Sequence, residues 1–391
     1  MYISRLKLIN WRNFRGIDVN LESRVFIIGP NASGKSNLVD VIRFLRDIVK
    51  RAGGLQHAVE ERGGVSKIRC LSARKKTQVE IEVHLSEAQG QKPDWKYILA
   101  FKHTGGGIFE SQAAIVKEKV WSKKENKWVL DRNEKSAGED HETLKFTHLE
   151  QITSNIKFRD VYRFFQETRY LHIVPQLVRD AESYMISTNK EDYYGRNLLD
   201  RMNKISPRTR NSHIKRINEV LHFAVPQLKE LKFTKDIKGI PHLEAVYIHW
   251  RAKGAKQQET QFSDGTLRLI GFMWVLLDGR ETVLLEEPEL YLHTAIIKQL
   301  PEFISKLQRK KDTIRQVIIT THSFDLLSGG DIGSNEVVLL KPTEEGTQAE
   351  RVDQIEQIGK YLDAGFSMAE AVIPATAPEN VERILQTTIE D

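Results

Sequence analysis

Residues Gly29-Pro30-Asn31-Ala32-Ser33-Gly34-Lys35-Ser36 directly follow the apolar run Val25-Phe26-Ile27-Ile28, and Leu38, Val39, Ile42, Phe44 and Leu45 then recur at helical spacing. Strand, glycine-rich turn and helix, in that order, make a P-loop: backbone N–H groups wrap a polyphosphate and the helix points its positive end at it. In such a loop Gly29, Pro30, Asn31, Ala32, Ser33, Gly34 and Asn37 surround the nucleotide. Lys35 reaches the β and γ phosphates and Ser36 ligates Mg2+. The cofactors expected are therefore ATP and Mg2+. A chance match in a glycine-rich turn would need the flanking strand and helix to be coincidental.

A P-loop narrows the fold to α/β, and the rest of the chain fits an enzyme of that kind. Its 391 residues suffice for two or three domains, with 40% hydrophobic and 29% charged residues, the balance of a soluble globular protein. The longest apolar stretch, Leu269–Leu277, has nine residues where a bilayer span needs about 20. No membrane association is expected. The first ten residues carry Arg5 and Lys7 in a short alternating run without the apolar core of a secretory signal. The single cysteine, Cys70, excludes an internal disulfide and fits a reducing, cytoplasmic location. A net charge of +6 is compatible with an acidic partner such as DNA. Between Arg196 and Arg216 the chain carries Arg196, Arg201, Lys204, Arg208, Arg210, Lys215 and Arg216 against Asp200 alone, which reads either as a solvated face or as a phosphate-contacting surface.

Short strands open the chain: Tyr2–Leu8, a polar turn with Trp11 and Phe14, then Arg24–Ile28. The alternation Val79, Ile81, Val83, Leu85 predicts a half-buried strand, and Ala114–Trp121 with Lys127–Leu130 a hairpin. A helical segment after Phe158 leads to a strand over Tyr170–Val174, ended by Pro175. From Gln176 to about Glu230 the pattern is helical and basic, broken at Pro207 and Pro226, and predicts a helical lobe. A β stretch around Leu243–Trp250 and a polar loop precede an apolar helix, Thr266–Leu277. Val283–Leu285 and Val317–Thr320 are continuously apolar, as parallel strands covered on both faces require. The tail shows a strand at Val337–Leu340, a turn at Pro342–Gly346 and amphipathic helical pieces.

Three downstream segments carry chemistry. Glu286 and Glu287 end the strand Leu284-Leu285, where a neighbouring P-loop strand would place them beside the phosphates. Glu286 would hold the Mg2+ shell through water, and Glu287 would orient and deprotonate the attacking water. His322 ends another buried strand thirty-five residues after Glu287, where a donor to the γ-phosphate would stabilise developing charge. Ser263-Asp264-Gly265-Thr266 opens the apolar helix. Alone it is ordinary N-cap chemistry, but Ser263 and Gly265 at a helix N-terminus also make an anion site.

Together the P-loop, Phe262–Arg268, Leu284–Leu292 and Thr320–Leu327 resemble the OLD, RecF and SMC group of ABC-type ATPases, in particular the small prokaryotic AAA-labelled members. The opening Leu8-Ile9-Asn10-Trp11-Arg12-Asn13-Phe14-Arg15 resembles that group's start, which helps bind the nucleotide, with Arg12 as the contact. The resemblance implies a P-loop NTPase of the ABC-head type, with a mixed β-sheet, a β-rich subdomain and an inserted helical lobe. It divides the chain into an ATPase lobe over 1–175, a helical and basic insert over 176–260, a core with signature, acidic pair and switch histidine over 261–345, and a tail over 346–391. It also implies that Ser263 and Gly265 cap the γ-phosphate of the opposite subunit in a homodimer or higher homo-oligomer, that His322 is the switch histidine, and that Gln176 is the Q-loop residue near the metal. The acidic pair is Glu-Glu where the general pattern has Asp-Glu, and Ser-Asp-Gly-Thr replaces a transporter's Ser-Gly-Gly-Gln, which disfavours transport. OLD-type relatives continue into a nuclease domain with an Asp-x-Asp pair; the 69 residues after His322 contain none, so nuclease activity is not expected. Stand-alone ATPases of this sort resemble subunits of bacterial anti-phage systems that act with a separately encoded effector.

Overall fold

The computed structural model describes residues 1–74, 77–105, 112–137, 140–179, 194–249, 254–309 and 315–377. Trp250, part of the loop after it, and the tail beyond residue 377 lie outside the described residues. In chain order the strands are β1 (Tyr2–Trp11), β2 (Phe14–Asn20), β3 (Arg24–Ile28), β4 (Val79–Ser86), β5 (Trp95–Thr104), β6 (Gln112–Ser122), β7 (Lys127–Asn133), β8 (Arg169–Leu171), β9 (Leu228–Lys235), β10 (Pro241–Tyr247), β11 (Ala255–Gln258), β12 (Val283–Glu286), β13 (Val317–Thr321), β14 (Val337–Thr343) and β15 (Gly346–Arg351). They form an antiparallel sheet ordered β2-β1-β4-β5-β6-β7, a small sheet β11-β10-β9, and a central sheet β15-β14-β3-β13-β12-β8. All neighbours in the central sheet are parallel except β14 and β15.

The central sheet separates two cores, and side-chain alternation sorts its residues between them. Val25, Ile27, Leu284, Ile318 and Val338 point to a core shared with the antiparallel sheet and the helix Lys35–Val49. Phe26, Ile28, Leu285, Ile319 and Val337 point to the other, shared with the helix Asp264–Leu277. Burial on both faces is why these strands carry no polar alternation. Helices Leu198–Lys204 and Pro207–Ala224 join the second core through Leu198, Met202, Ile214, Ile217 and Leu221.

Two buried side chains just before β13 tie the layers. Gln316 accepts from the Ile3 amide at 2.9 Å and donates to the Ile3 and Glu22 carbonyls at 2.8 and 2.9 Å, joining the central sheet to β1. Arg315 donates to the carbonyls of Val275 (2.7 Å), Leu276 and Asp278 (3.0 Å), the unsatisfied acceptors at the end of the helix Asp264–Leu277. Burial pushes Arg315 down to about 10, so it stays charged at neutral pH. The strand leading to His322 thus also anchors the helix that begins at Ser263.

Several local expectations change. Trp11 and Phe14 are fully buried at the facing ends of β1 and β2, not in a polar turn. The strand expected over Tyr170–Val174 stops at Leu171, and Pro175 opens the helix Pro175–Arg179, a position proline favours. The helical pattern expected to run to about Glu230 ends earlier: the helix stops at Ala224, and residues 228–230 already belong to β9, which pairs with β10. Pro342 lies within β14, opposite Thr347, so the hairpin turn falls at Thr343–Gly346.

Candidate functional site

Three adjacent parallel strands bring the chemistry together. Ile28 at the end of β3 pairs with Thr321 of β13, and Thr320 pairs with Glu286 of β12. The loop after β3, His322 after β13 and Glu287 after β12 therefore leave the sheet at one carboxyl edge, where open parallel sheets bind ligands.

The P-loop is held from below. Gly34 has φ +97°, and any Cβ there would run into the Asn13 side chain. Asn13 donates to the Ser33 carbonyl at 2.8 Å and to Thr347 Oγ1 at 2.7 Å, and accepts from Asn37 at 2.8 Å. Trp11 Nε1 donates to the Asn37 carbonyl at 2.9 Å. Lys35 is buried, its ammonium donating to the Gly29 and Pro30 carbonyls at 2.9 and 3.1 Å. Burial lowers its pKa, opposed by the charges of Glu287, Glu289 and Glu286.

Each carboxylate facing the loop has its own partners. Ser36 Oγ donates to one oxygen of Glu286 and Tyr170 OH to the other, while His172 Nδ1 lies 3.3 Å from the Glu286 carbonyl. Glu287 sits at φ 42°, a left-handed conformation that costs a non-glycine residue about 1 to 3 kcal/mol, with its amide donating to the Thr320 carbonyl at 3.0 Å. His322 Nδ1 is 3.0 Å from Glu287 Oε1, and both side chains are partly exposed. Glu289 is buried and accepts from Thr321 Oγ1 at 2.5 Å; burial raises its pKa above the usual carboxylate range. Three carboxylates round one lysine would repel a polyphosphate unless a cation intervened. Ser36 Oγ and the Glu286 oxygen it contacts are hard oxygen donors of the kind Mg2+ takes, one or two from protein and the rest from phosphate and water. The residues present therefore fit Mg2+ with ATP.

Other predicted residues stand apart. Ser263 caps its own helix, accepting from the Thr266 amide at 3.2 Å. Gly265 packs so closely on the Tyr291 carbonyl that a Cβ would lie 2.5 Å from it. Gln176 donates to Asp264 at 3.1 Å, beside the Arg179–Asp264 ion pair at 2.5 Å, and so touches the signature segment, not Ser36 or Glu286. Among the described residues no hydrogen bond joins Ser263 or Gly265 to the P-loop. The Arg12 guanidinium pairs with Asp40 of the P-loop helix at 2.9 Å, and Arg62 pairs with the same carboxylate at 2.8 Å. Although burial opposes it, this cationic setting holds Asp40 below the usual carboxylate range. Asn13, Tyr170, Glu289 and Thr321 were not singled out as site residues. Asn13 lay inside the opening motif and Tyr170 on an apolar strand, the only signals either gave.

The family model described as "AAA domain, putative AbiEii toxin, Type IV TA system" matches residues 24–328, more than half of the chain. The DNA replication and repair protein RecF of Lactobacillus johnsonii is 34% identical over 117 residues, 29% of this chain and 31% of that protein, so the match spans about a third of that relative's length. Among solved structures, the SmcHead bound to the C-winged helix domain of ScpA superposes with a TM-score of 0.53 at 14% identity, covering 90% of this chain and 99% of that one. The Smc head domain of Pyrococcus furiosus, bound to the C-terminal domain of ScpA, gives 0.50 at 13%, covering 93% and 99%. These likenesses show the fold, SMC-head-like and of mixed α/β structure. No helix among the described residues is long and apolar enough to cross a membrane.

Proposed function

This chain belongs to the AAA-domain family described as putative AbiEii toxin, Type IV TA system, and from that premise we propose that it binds and hydrolyses ATP at a site shared between two copies. The observation that carries this reading is the convergence of Lys35, Ser36, Glu286, Glu287 and His322 at the carboxyl ends of three adjacent parallel strands. Lys35 and the loop amides hold the β and γ phosphates, and Glu287 accepts a proton from the attacking water. Bound Mg2+ would neutralise charge on the β and γ oxygens. His322 meets Glu287 through Nδ1, so donating to a phosphate as well requires the doubly protonated ring. Ser263 and Gly265 then cap the γ-phosphate of the other copy. Phosphate release from ATP by the purified chain with Mg2+ tests this reading; no release above buffer would leave a nucleotide-dependent scaffold.

For biological role, the reading is an ATP-gated dimer controlling a separately encoded effector in anti-phage defence, with DNA as the sensed ligand. The RecF match favours one alternative, a DNA repair ATPase. Both give the basic run a task. Lys204, Arg208, Lys215 and Arg216 are exposed on or before the helix Pro207–Ala224, whereas Arg210 stacks over the Phe233 ring at 4.3 Å and belongs to the packing. Neutralising Arg208, Lys215 and Arg216 together should weaken binding to all duplexes alike and reduce the slope of log K against log salt by about 2.7, three phosphate contacts' worth. An unchanged slope would return the run to a solvated face. Pulling down a tagged copy with its natural neighbours separates defence from repair.

A further inference from the structure

The metal-side carboxylate is a glutamate, with one more rotatable bond to fix than an aspartate. Its side chain is gripped at both ends of the carboxylate. β8 runs parallel to β12 with Tyr170 opposite Leu284, so Tyr170, Leu284 and, two residues on, Glu286 share one face of the sheet. Tyr170 and Leu284 lie in the core beneath the helix Lys35–Val49. From that position Tyr170 OH donates to Glu286 Oε2 while Ser36 Oγ holds Oε1. The Tyr170 ring is fixed by the Arg43 guanidinium, 4.2 Å from its centroid, on the same helix that begins at Lys35.

We propose that Tyr170 is a positioning residue for Mg2+: it occupies one oxygen of Glu286 and thereby presents the other, beside Ser36, as a single-oxygen ligand. The inference rests on the nucleotide-site reading above. It accounts for a glutamate at this position, since the longer side chain is what reaches the tyrosine. Mg2+, which demands regular octahedral geometry and takes few protein oxygens, suits such a ligand. Outer partners of this kind commonly change metal affinity by about 10- to 100-fold.

The test uses the whole chain saturated with the non-hydrolysable analogue AMP-PNP and follows Mn2+ binding by the EPR signal of the free ion. Tyr170→Phe, which keeps the ring over Arg43, should weaken Mn2+ binding about tenfold. Binding of a fluorescent ATP analogue in EDTA should be unchanged. In a Glu286→Asp background the same substitution should matter less than about twofold, because the shorter carboxylate no longer meets the hydroxyl. Unaltered Mn2+ affinity in Tyr170→Phe, or a tenfold loss in both backgrounds, would overturn the positioning role. Failure of the parent chain to bind the fluorescent analogue would instead overturn the nucleotide site, and this role with it.

Discussion

Glu287→Gln is expected to bind ATP as the parent does and to release phosphate about 10² to 10⁴ times more slowly. The amide preserves size and still accepts a hydrogen bond from His322, 3.0 Å away in the parent, but takes no proton from water. The backbone at this residue argues for a reacting group: a left-handed φ of 42° is held by the bond from its amide to Thr320, and strain of that kind persists where it positions a side chain. Because ATP is retained, the substituted protein should accumulate as a larger, nucleotide-bound assembly on gel filtration. Parent-like phosphate release would move the base elsewhere, with His322 next.

Lys35→Ala should reduce ATP affinity by about 10² to 10⁴, from the loss of roughly two charge-assisted hydrogen bonds to phosphate. Electrostatics add to the loss. Glu286, Glu287 and Glu289 all act on the Lys35 ammonium, and without it a polyphosphate meets their charge uncompensated. The ammonium also bridges the Gly29 and Pro30 carbonyls, so its removal loosens the loop. Crosslinking of labelled ATP is the measurement, and parent-like labelling would sink the P-loop assignment.

How far the sequence foretold this arrangement depended on whether the information was local. β3, β12 and β13 were visible because strands buried on both faces are written as unbroken apolar runs, and the P-loop because its glycines and lysine are contiguous. The antiparallel strands were harder. β9 carries exposed lysines and buried leucines three apart, a pattern helices and irregular strands share. β5, buried without a break from Tyr97 to Phe101, carries the same kind of run as β3, β12 and β13 and was not read. Partners created only by folding gave no signal: Tyr170 meets Glu286 across 116 residues, and Thr347 meets Asn13 across 334. Likewise Arg210 counts as one more charge in the sequence, and only Phe233 in space shows that it is packing.

The central claim is that Ser263 and Gly265 serve the nucleotide of another copy, a two-fold arrangement in which each ATP is clasped by two chains. Their helix touches Gln176, Arg179 and Tyr291 within the chain, with no hydrogen bond to the P-loop among the described residues. The direct measurement is ATP hydrolysis by purified heterodimers, selected on two tags, pairing Lys35→Ala with Ser263→Arg, each inactive as a homodimer. A shared site puts both lesions on one nucleotide and leaves the other intact, so the account predicts recovery of up to about half the parent rate if the two sites fire independently. A dead heterodimer, alongside an active covalently linked dimer carrying a single Lys35→Ala lesion, would show that each site lies within one chain and contradict the account.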